Sequence, residues 1–427
     1  MTAIRLVGKK SNKVQAALKF KFDYWLALSI VALLVIGMLM VYSTTFDYGV
    51  RFVDGDATYY FRRQLTAMLI GLGGLVIIMQ FDYHLFRKTS VPIMLVTLVL
   101  LFITLFFAEE IFGARRGLSG GSYQPSEIAK LATILYIADW LSSKGDRIRN
   151  IMYGLIPFSI IIGIVGALIV RQPDLSTAVL IAGVAFTVFF VAGADLKQFA
   201  AMGLLGSGAF VLLTISLDHA RIRVTDWATA LRDPTQAGWH VRQSLIALAN
   251  GGWLGVGPGN SAQKFGQLPA AHTDSVFAVL GEELGLMGSL LVIFLLGMLI
   301  WRGVRTAMYA RDSYGALLAL GITCWLGYQA LINIAVITAV VPFTGLPLPF
   351  LSYGGSSLAV SLFAVGILLN ISRDQALDRR QRTRPQRSQG SRSNGPPTVR
   401  KMEAVSEAAR VRRRYRRSYL PGDSRSK

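Results

Sequence analysis

The sequence predicts an all-α integral membrane protein with about ten transmembrane helices. Of its 427 residues, 53% are hydrophobic and only 16% are charged, and the mean hydropathy is +0.48. This balance lies outside the range of soluble globular proteins of this length. Apolar runs of about twenty residues, the length of helix that crosses roughly 30 Å of hydrocarbon, recur along the chain.

Ten apolar runs lie between residues 22 and 372, and we predict that this part of the chain is the membrane domain. The runs at 126–142 and 176–192 are short for a membrane-crossing helix. The predicted spans lie at about 22–44, 61–81, 91–108, 126–142, 151–170, 176–192, 199–217, 276–301, 315–340 and 356–372.

The net charge of +20 lies mostly at the two ends of the chain. Residues 1–24 carry six Lys or Arg against one Asp, and residues 373–427 carry 17 against five Asp or Glu. Because Lys and Arg beside membrane spans stay on the cytoplasmic side, both termini are predicted to be cytoplasmic. We therefore expect a basic cytoplasmic N-terminus at 1–21. Residues 373–427 are expected to form a basic, disordered tail that contacts membrane lipids and not nucleic acid.

The sequence indicates no metal or cofactor site. Cys324 is the only cysteine, so an intramolecular disulfide and a thiolate metal cluster are excluded. The four histidines show no metal-ligand spacing. A requirement for a divalent cation stays open. The first apolar run is longer than the core of a cleaved signal peptide, which predicts that it is retained as a span.

Ten arginines but only one lysine lie in, or next to, the segments predicted to face outward. A planar guanidinium pairs bidentately with carboxylate or phosphate oxygens, which favours an anionic ligand on that side. The alternative is that these arginines neutralise acids of the same loops or contact lipid headgroups. The residues are Arg51, Arg62, Arg63, Arg115, Arg116, Arg171, Arg221, Arg223, Arg232, Arg242 and Lys264.

Two outward segments carry many helix breakers. Residues 341–357 contain three prolines and two adjacent glycines in an apolar stretch, which predicts a re-entrant or cavity-lining segment. Residues 218–275 are predicted to form one long extracytoplasmic loop. Within this loop, residues 238–250 are predicted to form an amphipathic helix at the membrane interface.

Ionisable side chains near the ends of spans are candidate functional residues, because an unpaired charge in the bilayer is costly. Glu127 and Lys130 share one face of the fourth span and are expected to pair. Arg171 and Asp174 lie at the outer junction of the fifth and sixth spans.

Asp274, Glu282 and Glu283 lie at the start of the eighth span. The two glutamates point about 100° apart on a helix, so one of them is predicted to be structural. Asp274 follows a glycine-rich approach on the arginine-bearing side and is a candidate catalytic base. An ordinary helix cap is the alternative role for Asp274.

With these residues assembled, the chain resembles the SEDS family (shape, elongation, division and sporulation) of peptidoglycan glycosyltransferases, and its division members more than its elongation members. The matching segments lie in family order: Gly113–Arg116, Gln124–Lys130, Arg171–Asp174, Gly257–Asn260, Ala271–Asp274, Phe277–Gly285 and Pro347–Ser357.

The resemblance implies a ten-helix fold that polymerises lipid II at the outer face of the bacterial cytoplasmic membrane, at the division septum. It also implies a class B penicillin-binding protein and divisome proteins as partners. Asp274 matches the family's essential aspartate and is predicted to be the catalytic base. Residues predicted to contact the polyprenyl-diphosphate-linked substrate are Arg116, Gln124, Glu127, Lys130, Arg171, Asp174, His272, Glu283, Ser352, Gly354 and Ser356.

Three positions depart from the family pattern. Gly117 stands where a tryptophan is usual, Ser176 replaces a glycine, and Ser275 stands where a phenylalanine is common. These departures affect the expected wall of the site but not the expected reaction. A lipid II flippase is the rival function, because it would also need charged residues and broken helices. A purely structural scaffold would leave the carboxylates near the spans without a role.

Overall fold

The computed structural model describes residues 23–107, 109–111, 114–117, 124–233 and 236–383. The predicted N-terminus at 1–21 lies outside the described residues, as does the predicted tail from residue 384 onward. The chain divides into two compact units, residues 1–376 and 377–427. The boundary between them falls just beyond the last predicted span.

In the described part of the chain, ten long helices correspond one to one with the ten predicted spans, so the predicted fold class is confirmed. Two further helices, α8 (Asp218–Arg232) and α9 (Trp239–Gly251), lie in the predicted long loop. The ten are α1 (Tyr24–Phe52), α2 (Tyr59–Ile78), α3 (His84–Phe107), α4 (Pro125–Lys144), α5 (Ile156–Val170), α6 (Leu175–Val191), α7 (Leu196–Ser216), α10 (Val276–Met308), α11 (Ser313–Ile337) and α12 (Gly355–Thr383).

Eight of these ten helices are long and apolar enough to cross a membrane, counting the π turn Ile151–Leu155 with α5. The other two are α4 and α6, which correspond to the short runs at 126–142 and 176–192. α4 carries Glu127, Lys130 and Asp139, which lower its hydropathy. α6 has only 17 residues. Both helices are largely buried against their neighbours, so protein packing compensates for their composition and length.

A short hairpin follows α3, where the sequence predicted only a loop. Its strands are β1 (Glu109–Ile111) and β2 (Ala114–Gly117), which pair antiparallel with Glu109 opposite Gly117. The fold is therefore all-α apart from this two-stranded hairpin in the described residues.

α10 is broken near its beginning. Gly285 has φ 66° and ψ −165°, values outside any helix. The loop after α9 fills the break: the backbone N–H of Val256 donates to Glu282 O (2.9 Å) and that of Gly257 to Glu283 O (3.1 Å). A Cβ on Gly255 would lie 2.1 Å from Glu283 O, which explains the glycine at this position. The glycine-rich motif 255–259 thus packs against a broken helix.

Burial differs strongly among the helices. α11 and α12 are the most buried of the candidate spans, whereas the most apolar stretch of α7 contains no buried residue. The core lies where α1, α4, α10, α11 and α12 pack together. This core supports the broken end of α10, where Asp274 lies.

Candidate active site

Three consecutive backbone carbonyls, those of residues 272–274, are each held by a different donor. The backbone N–H of Tyr353 donates to His272 O (2.8 Å), and the Ser352 hydroxyl donates to Thr273 O (2.5 Å). The Asn333 amide donates to Asp274 O (2.8 Å). Hydrogen bonds from two separate elements, α11 and the loop at 338–354, therefore fix the backbone on which Asp274 is mounted.

Asp274 immediately precedes the N-cap of α10, which is Ser275. The predicted alternative, that Asp274 is the N-cap of this helix, is wrong, because the N-cap is the next residue, Ser275. The Asp274 carboxylate faces the loop at 338–354, where a Cβ on Gly345 would lie 3.2 Å from its Oδ2. Gly345 has φ +70°, which favours glycine and lets the loop pass close to the carboxylate.

Gln64 of α2 also binds the backbone of the loop at 338–354. It is fully buried, and its amide donates to Ser352 O (3.2 Å) while accepting from the backbone N–H of Gly354 (3.1 Å). Ser352 and Gly354, both predicted site residues, are thus tied to α2. A buried amide that satisfies two backbone groups fixes an irregular segment that lacks helical hydrogen bonds.

The predicted Glu127–Lys130 pair is confirmed. Lys130 Nζ lies 2.9 Å from Glu127 Oε1 and also 2.9 Å from Gln329 Oε1, and both charged side chains are buried. The Gln329 amide extends this series of hydrogen bonds by donating to Pro347 O (2.8 Å). Lys130 therefore reaches the loop at 338–354 through Gln329, and its direct contact with a substrate diphosphate stays a prediction.

The N-terminal ends of α4 and α6 meet the same region. The backbone N–H of Gln124 donates to the Ser356 hydroxyl (3.3 Å). Asp174 is the N-cap of α6 and accepts from the Thr177 N–H (3.2 Å). The Ser176 hydroxyl donates to Thr344 O. The serine that replaces a family glycine thus adds one more contact to the loop.

Two of the predicted substrate-binding cations, Arg171 and Arg116, have no described contact with the other site residues. Arg171 lies at the C-cap of α5 with an exposed side chain. Arg116 lies in β2, and its side chain is outside the described residues. Their predicted contact with a diphosphate stays a prediction.

Four aromatic rings, from Tyr48, Tyr60, His272 and Tyr353, form a cluster beside Asp274. The His272 ring centroid lies 5.0 Å from that of Tyr48 and 5.8 Å from that of Tyr353, and Tyr60 lies 5.5 Å from Tyr353. Burial lowers the pKa of His272 to about 4, so its imidazole is neutral near pH 7. We call these four residues the aromatic cluster.

His240 of α9 contacts the start of α10. Its Nε2 lies 2.8 Å from the hydroxyl of Ser275, which also donates to Pro269 O (3.0 Å). The His240 ring packs on Phe343 at 4.0 Å. The predicted helix at 238–250 is confirmed as α9. Trp239 and Ile246 are exposed on it, while His240 joins it to the residue after Asp274.

Glu282 and Glu283 belong to networks separate from the Asp274 loop. Glu283 Oε1 accepts from Lys264 Nζ (2.8 Å) and from the hydroxyl of Ser43 in α1 (2.6 Å). Glu282 accepts from Asn250 Nδ2 (3.1 Å) and from the Ser261 hydroxyl. Both carboxylates are buried and bind protein groups at the break in α10. A direct substrate contact by Glu283 stays a prediction.

The structure therefore brings Asp274, His272, Ser352, Gly354, Ser356 and Gln124 to one end of the helix bundle. Lys130, paired with Glu127, is linked to the loop at 338–354 through Gln329, and Asp174 caps α6 two residues before Ser176, which contacts the same loop. Gln64, Gln329 and Asn333 were not among the predicted site residues, because only charged side chains within the spans were taken as candidates. Amides in otherwise apolar runs were the available signal, since such groups hydrogen-bond between membrane helices.

The arrangement can perform acid–base chemistry. It offers a rigidly mounted carboxylate, a neutral imidazole and tyrosine rings that are partly exposed. Within the described residues, no group of three or more His, Cys, Asp or Glu side chains is arranged to hold a metal ion.

Comparisons with known proteins agree with one family. The family model for FtsW, RodA and SpoVE, described as a cell cycle protein, matches residues 24–377. The probable peptidoglycan glycosyltransferase FtsW of Geobacter sulfurreducens is 40% identical over 359 residues, which cover 82% of this chain and 95% of that protein. Stage V sporulation protein E of Bacillus subtilis is 39% identical over 355 residues, covering 82% and 97%.

Two solved structures share the fold. One is a chain from a peptidoglycan synthase complex that coordinates polymerization and crosslinking. It has a TM-score of 0.67 and 27% identity, and the match covers 83% of this chain and 99% of that chain. The other is the rod shape determining protein RodA of Thermus thermophilus. Its TM-score is 0.60 and its identity 26%, with coverage of 83% and 98%.

Proposed function

The chain belongs to the FtsW/RodA/SpoVE family of cell cycle proteins, and from that premise we propose that it is a peptidoglycan glycosyltransferase that polymerises lipid II. The observation that supports the proposal most is the rigid backbone at Asp274. Three separate hydrogen bonds fix the carbonyls of residues 272–274. A base on rigid backbone suits a reaction whose rate depends on alignment.

The reaction joins two lipid-linked sugars. A sugar hydroxyl attacks the anomeric carbon of a second substrate, and the bond from that carbon to the diphosphate oxygen breaks. The polyprenyl diphosphate leaves with the bonding electron pair, and the hydroxyl proton passes to the Asp274 carboxylate. A base in this position typically contributes about 10²–10⁴-fold to the rate.

Cations are needed where negative charge develops on the leaving diphosphate. We assign this role to Arg116 and Arg171, with Lys130 acting through its link to the loop at 338–354. Gln124, Asp174, His272, Ser352, Gly354 and Ser356 are assigned to holding or orienting the sugars. These assignments rest on position at the same end of the helix bundle and on the family motifs.

The cellular setting follows from the family and from charge. We propose that both termini are cytoplasmic, that the site end faces outward, and that the protein acts in division at the septum. A class B penicillin-binding protein is the proposed partner. The similarity to a chain of a peptidoglycan synthase complex that coordinates polymerization and crosslinking supports this choice.

The test is a reconstitution of the purified chain in liposomes with lipid II, with and without the partner. We expect glycan polymer on a gel. A companion assay follows labelled lipid II between leaflets: movement without polymer would replace the proposed activity with the flippase function. Repeating the reaction with EDTA, then with added Mg²⁺, measures any dependence on a divalent cation.

Arg116→Ala tests the diphosphate role. We expect polymerisation to fall about tenfold to a hundredfold, the range for loss of a charge-stabilising group. Unchanged kinetics in a protein that unfolds at the wild-type temperature would remove Arg116 from the site.

A further inference from the structure

An apolar groove of about 690 Å³ runs between α1 and α2. Its volume lies within the usual range for ligand-binding clefts, roughly 300–1,000 Å³. α1 contributes Val31, Val35 and Leu39 to the lining, and α2 contributes Phe61, Leu65 and Leu72. Side chains with a hydroxyl occur at one end only, where Tyr42 and Thr58 lie. The groove therefore suits a hydrocarbon ligand.

The groove is open sideways to the surface that faces lipid. Val35 is 57% exposed and Leu39 is 65% exposed, although both line it. From Thr58 to Leu72 it follows α2 for about 21 Å at 1.5 Å per residue. That length is roughly two thirds of the hydrocarbon thickness of a bilayer. A long chain carried in the membrane can enter without leaving the bilayer.

The end of the groove that bears hydroxyls meets the candidate active site. Phe61 lines the groove, and its ring lies 5.6 Å from that of Tyr42. The adjacent residue, Tyr60, belongs to the aromatic cluster and lies 6.3 Å from His272. His272 is two residues from Asp274. At Phe61 the groove thus lies one residue along α2 from Tyr60, whose ring contacts His272 in the same segment as Asp274.

Two arginines follow Phe61 at this same end. Arg62 is exposed and forms an ion pair with Asp56. Arg63 donates to the Tyr59 hydroxyl (3.1 Å) and lies over the Tyr59 ring. The Tyr59 ring lies 5.2 Å from that of Tyr60, so Arg63 lies one ring away from the aromatic cluster. Guanidinium groups match phosphate oxygens bidentately, so this end is complementary to a diphosphate.

We propose that the α1/α2 groove is the subsite for the polyisoprenyl chain of the substrate, with Arg62 and Arg63 contacting its diphosphate in addition to the cations assigned above. The proposal rests on the proposed function and adds where the lipid-linked sugar sits. The chain lies along α1 and α2, the diphosphate lies at Arg62 and Arg63, and the sugar lies over the aromatic cluster towards Asp274.

Photo-crosslinking tests occupancy without turnover. A benzophenone amino acid replaces Leu39 in the groove or, as a control, Leu95 of α3, which is 58% exposed and does not line the groove. The probe is radiolabelled polyprenyl diphosphate in liposomes of phosphatidylglycerol and phosphatidylethanolamine. We expect crosslinks at position 39 that unlabelled polyprenyl diphosphate displaces and excess phosphatidylglycerol does not. Equal labelling at both positions, or displacement by phosphatidylglycerol, would mean that ordinary bilayer lipid fills the groove.

A matched pair of substitutions tests the effect on catalysis. Val35→Trp fills the groove, and Val96→Trp adds the same bulk to α3 at a residue that is 59% exposed. We expect Val35→Trp to raise KM for lipid II about tenfold, equivalent to ~1.4 kcal/mol, with kcat within a factor of about two, since a chain contact made equally in ground and transition states alters KM alone. Val96→Trp is expected to change neither constant.

Unchanged KM in Val35→Trp would overturn the groove assignment while wild-type polymerisation still supported the proposed function. Absence of polymer from the wild-type chain would instead overturn the proposed function, and the crosslinking result would still report on the groove. The two failures are therefore distinguishable.

Discussion

The two ends of the helix bundle differ in how they hold polar groups. At the opposite end from Asp274, short turns join the helices, and charged side chains pair with each other near the surface, as Arg87 does with Asp139 (3.1 Å). At the site end, buried amides and hydroxyls bind four backbone carbonyls of irregular segments, a kind of bond that Asn370 makes to Ile78 O and Phe81 O at the opposite end. The site end therefore has a backbone held rigidly in a conformation that regular helices would not adopt, which suits precise placement of a carboxylate.

The largest expected effect on stability comes from the break in α10. Gly255→Ala would place a Cβ 2.1 Å from Glu283 O at φ +80°, so strain and overlap together should lower the free energy of unfolding by ~3 kcal/mol. Gly55→Ala is the control, because Gly55 has φ +83° with nothing within 4 Å of a Cβ. Thermal unfolding in detergent measures both. Equal losses would show that backbone conformation, and not packing into the break, explains the glycine.

A second comparison uses two asparagines, one at each end. Asn333 donates to Asp274 O and Leu346 O, and Asn370 donates to Ile78 O and Phe81 O at the opposite end. Replacing either by Leu leaves buried carbonyls without their donor and should lower stability by about 1–3 kcal/mol.

The two asparagine variants should differ in their polymerisation activity. At a temperature where both are folded, Asn333→Leu is expected to lose most of its polymerising activity, because the Asp274 backbone is no longer fixed. Asn370→Leu should keep its activity. Equal activity of the two variants would mean that the bond to Asp274 O serves stability alone.

A smaller effect is expected from pH. Burial lowers the pKa of His272 to about 4, and burial with the nearby Arg223 charge lowers that of His240 to about 4. In the unfolded chain both titrate near pH 6.5. The unfolded state therefore binds more protons, and the stability present above pH 6.5 should fall as pH drops from about 6.5 to 4. Melting temperature against pH measures the fall, and His240→Phe with His272→Phe should flatten it. If the melting temperature of the double variant fell as steeply with pH as that of the wild type, other titrating groups would be responsible for the fall.

The smallest expected effect is at the surface of the opposite end. Arg87→Met removes the exposed pair with Asp139, for which about 0–1 kcal/mol is typical. Polymerisation should be unchanged. A large loss of activity would contradict the division of roles between the two ends.

The sequence was sufficient to predict the helices but not the way the site is held. Hydropathy located all ten long helices, including α4 and α6, and the spacing of Glu127 and Lys130 predicted their pairing correctly. The break at Gly285 could not be predicted, because Glu282 and Glu283 read as ordinary helix and the partner loop at 252–257 lies far away in sequence. Asn333 in the apolar run of α11 could have been singled out as a polar group within a span, but its partner, the distant carbonyl of Asp274, could not be predicted from the sequence. The substrate contact of Glu283 stays a prediction, because Lys264 and Ser43 bind its carboxylate.

The most direct test of the central claim compares two aspartates at helix starts, one at each end. Asp274 precedes α10 at the site end, and Asp312 is the N-cap of α11 at the opposite end, where it accepts from the Tyr83 hydroxyl. Lipid II polymerisation is measured for the wild type, Asp274→Asn and Asp312→Asn in the same liposomes. We predict that Asp274→Asn loses about 10²–10⁴-fold in rate while remaining folded, and that Asp312→Asn retains the wild-type rate. Wild-type polymerisation by Asp274→Asn would contradict the assignment of Asp274 as the catalytic base.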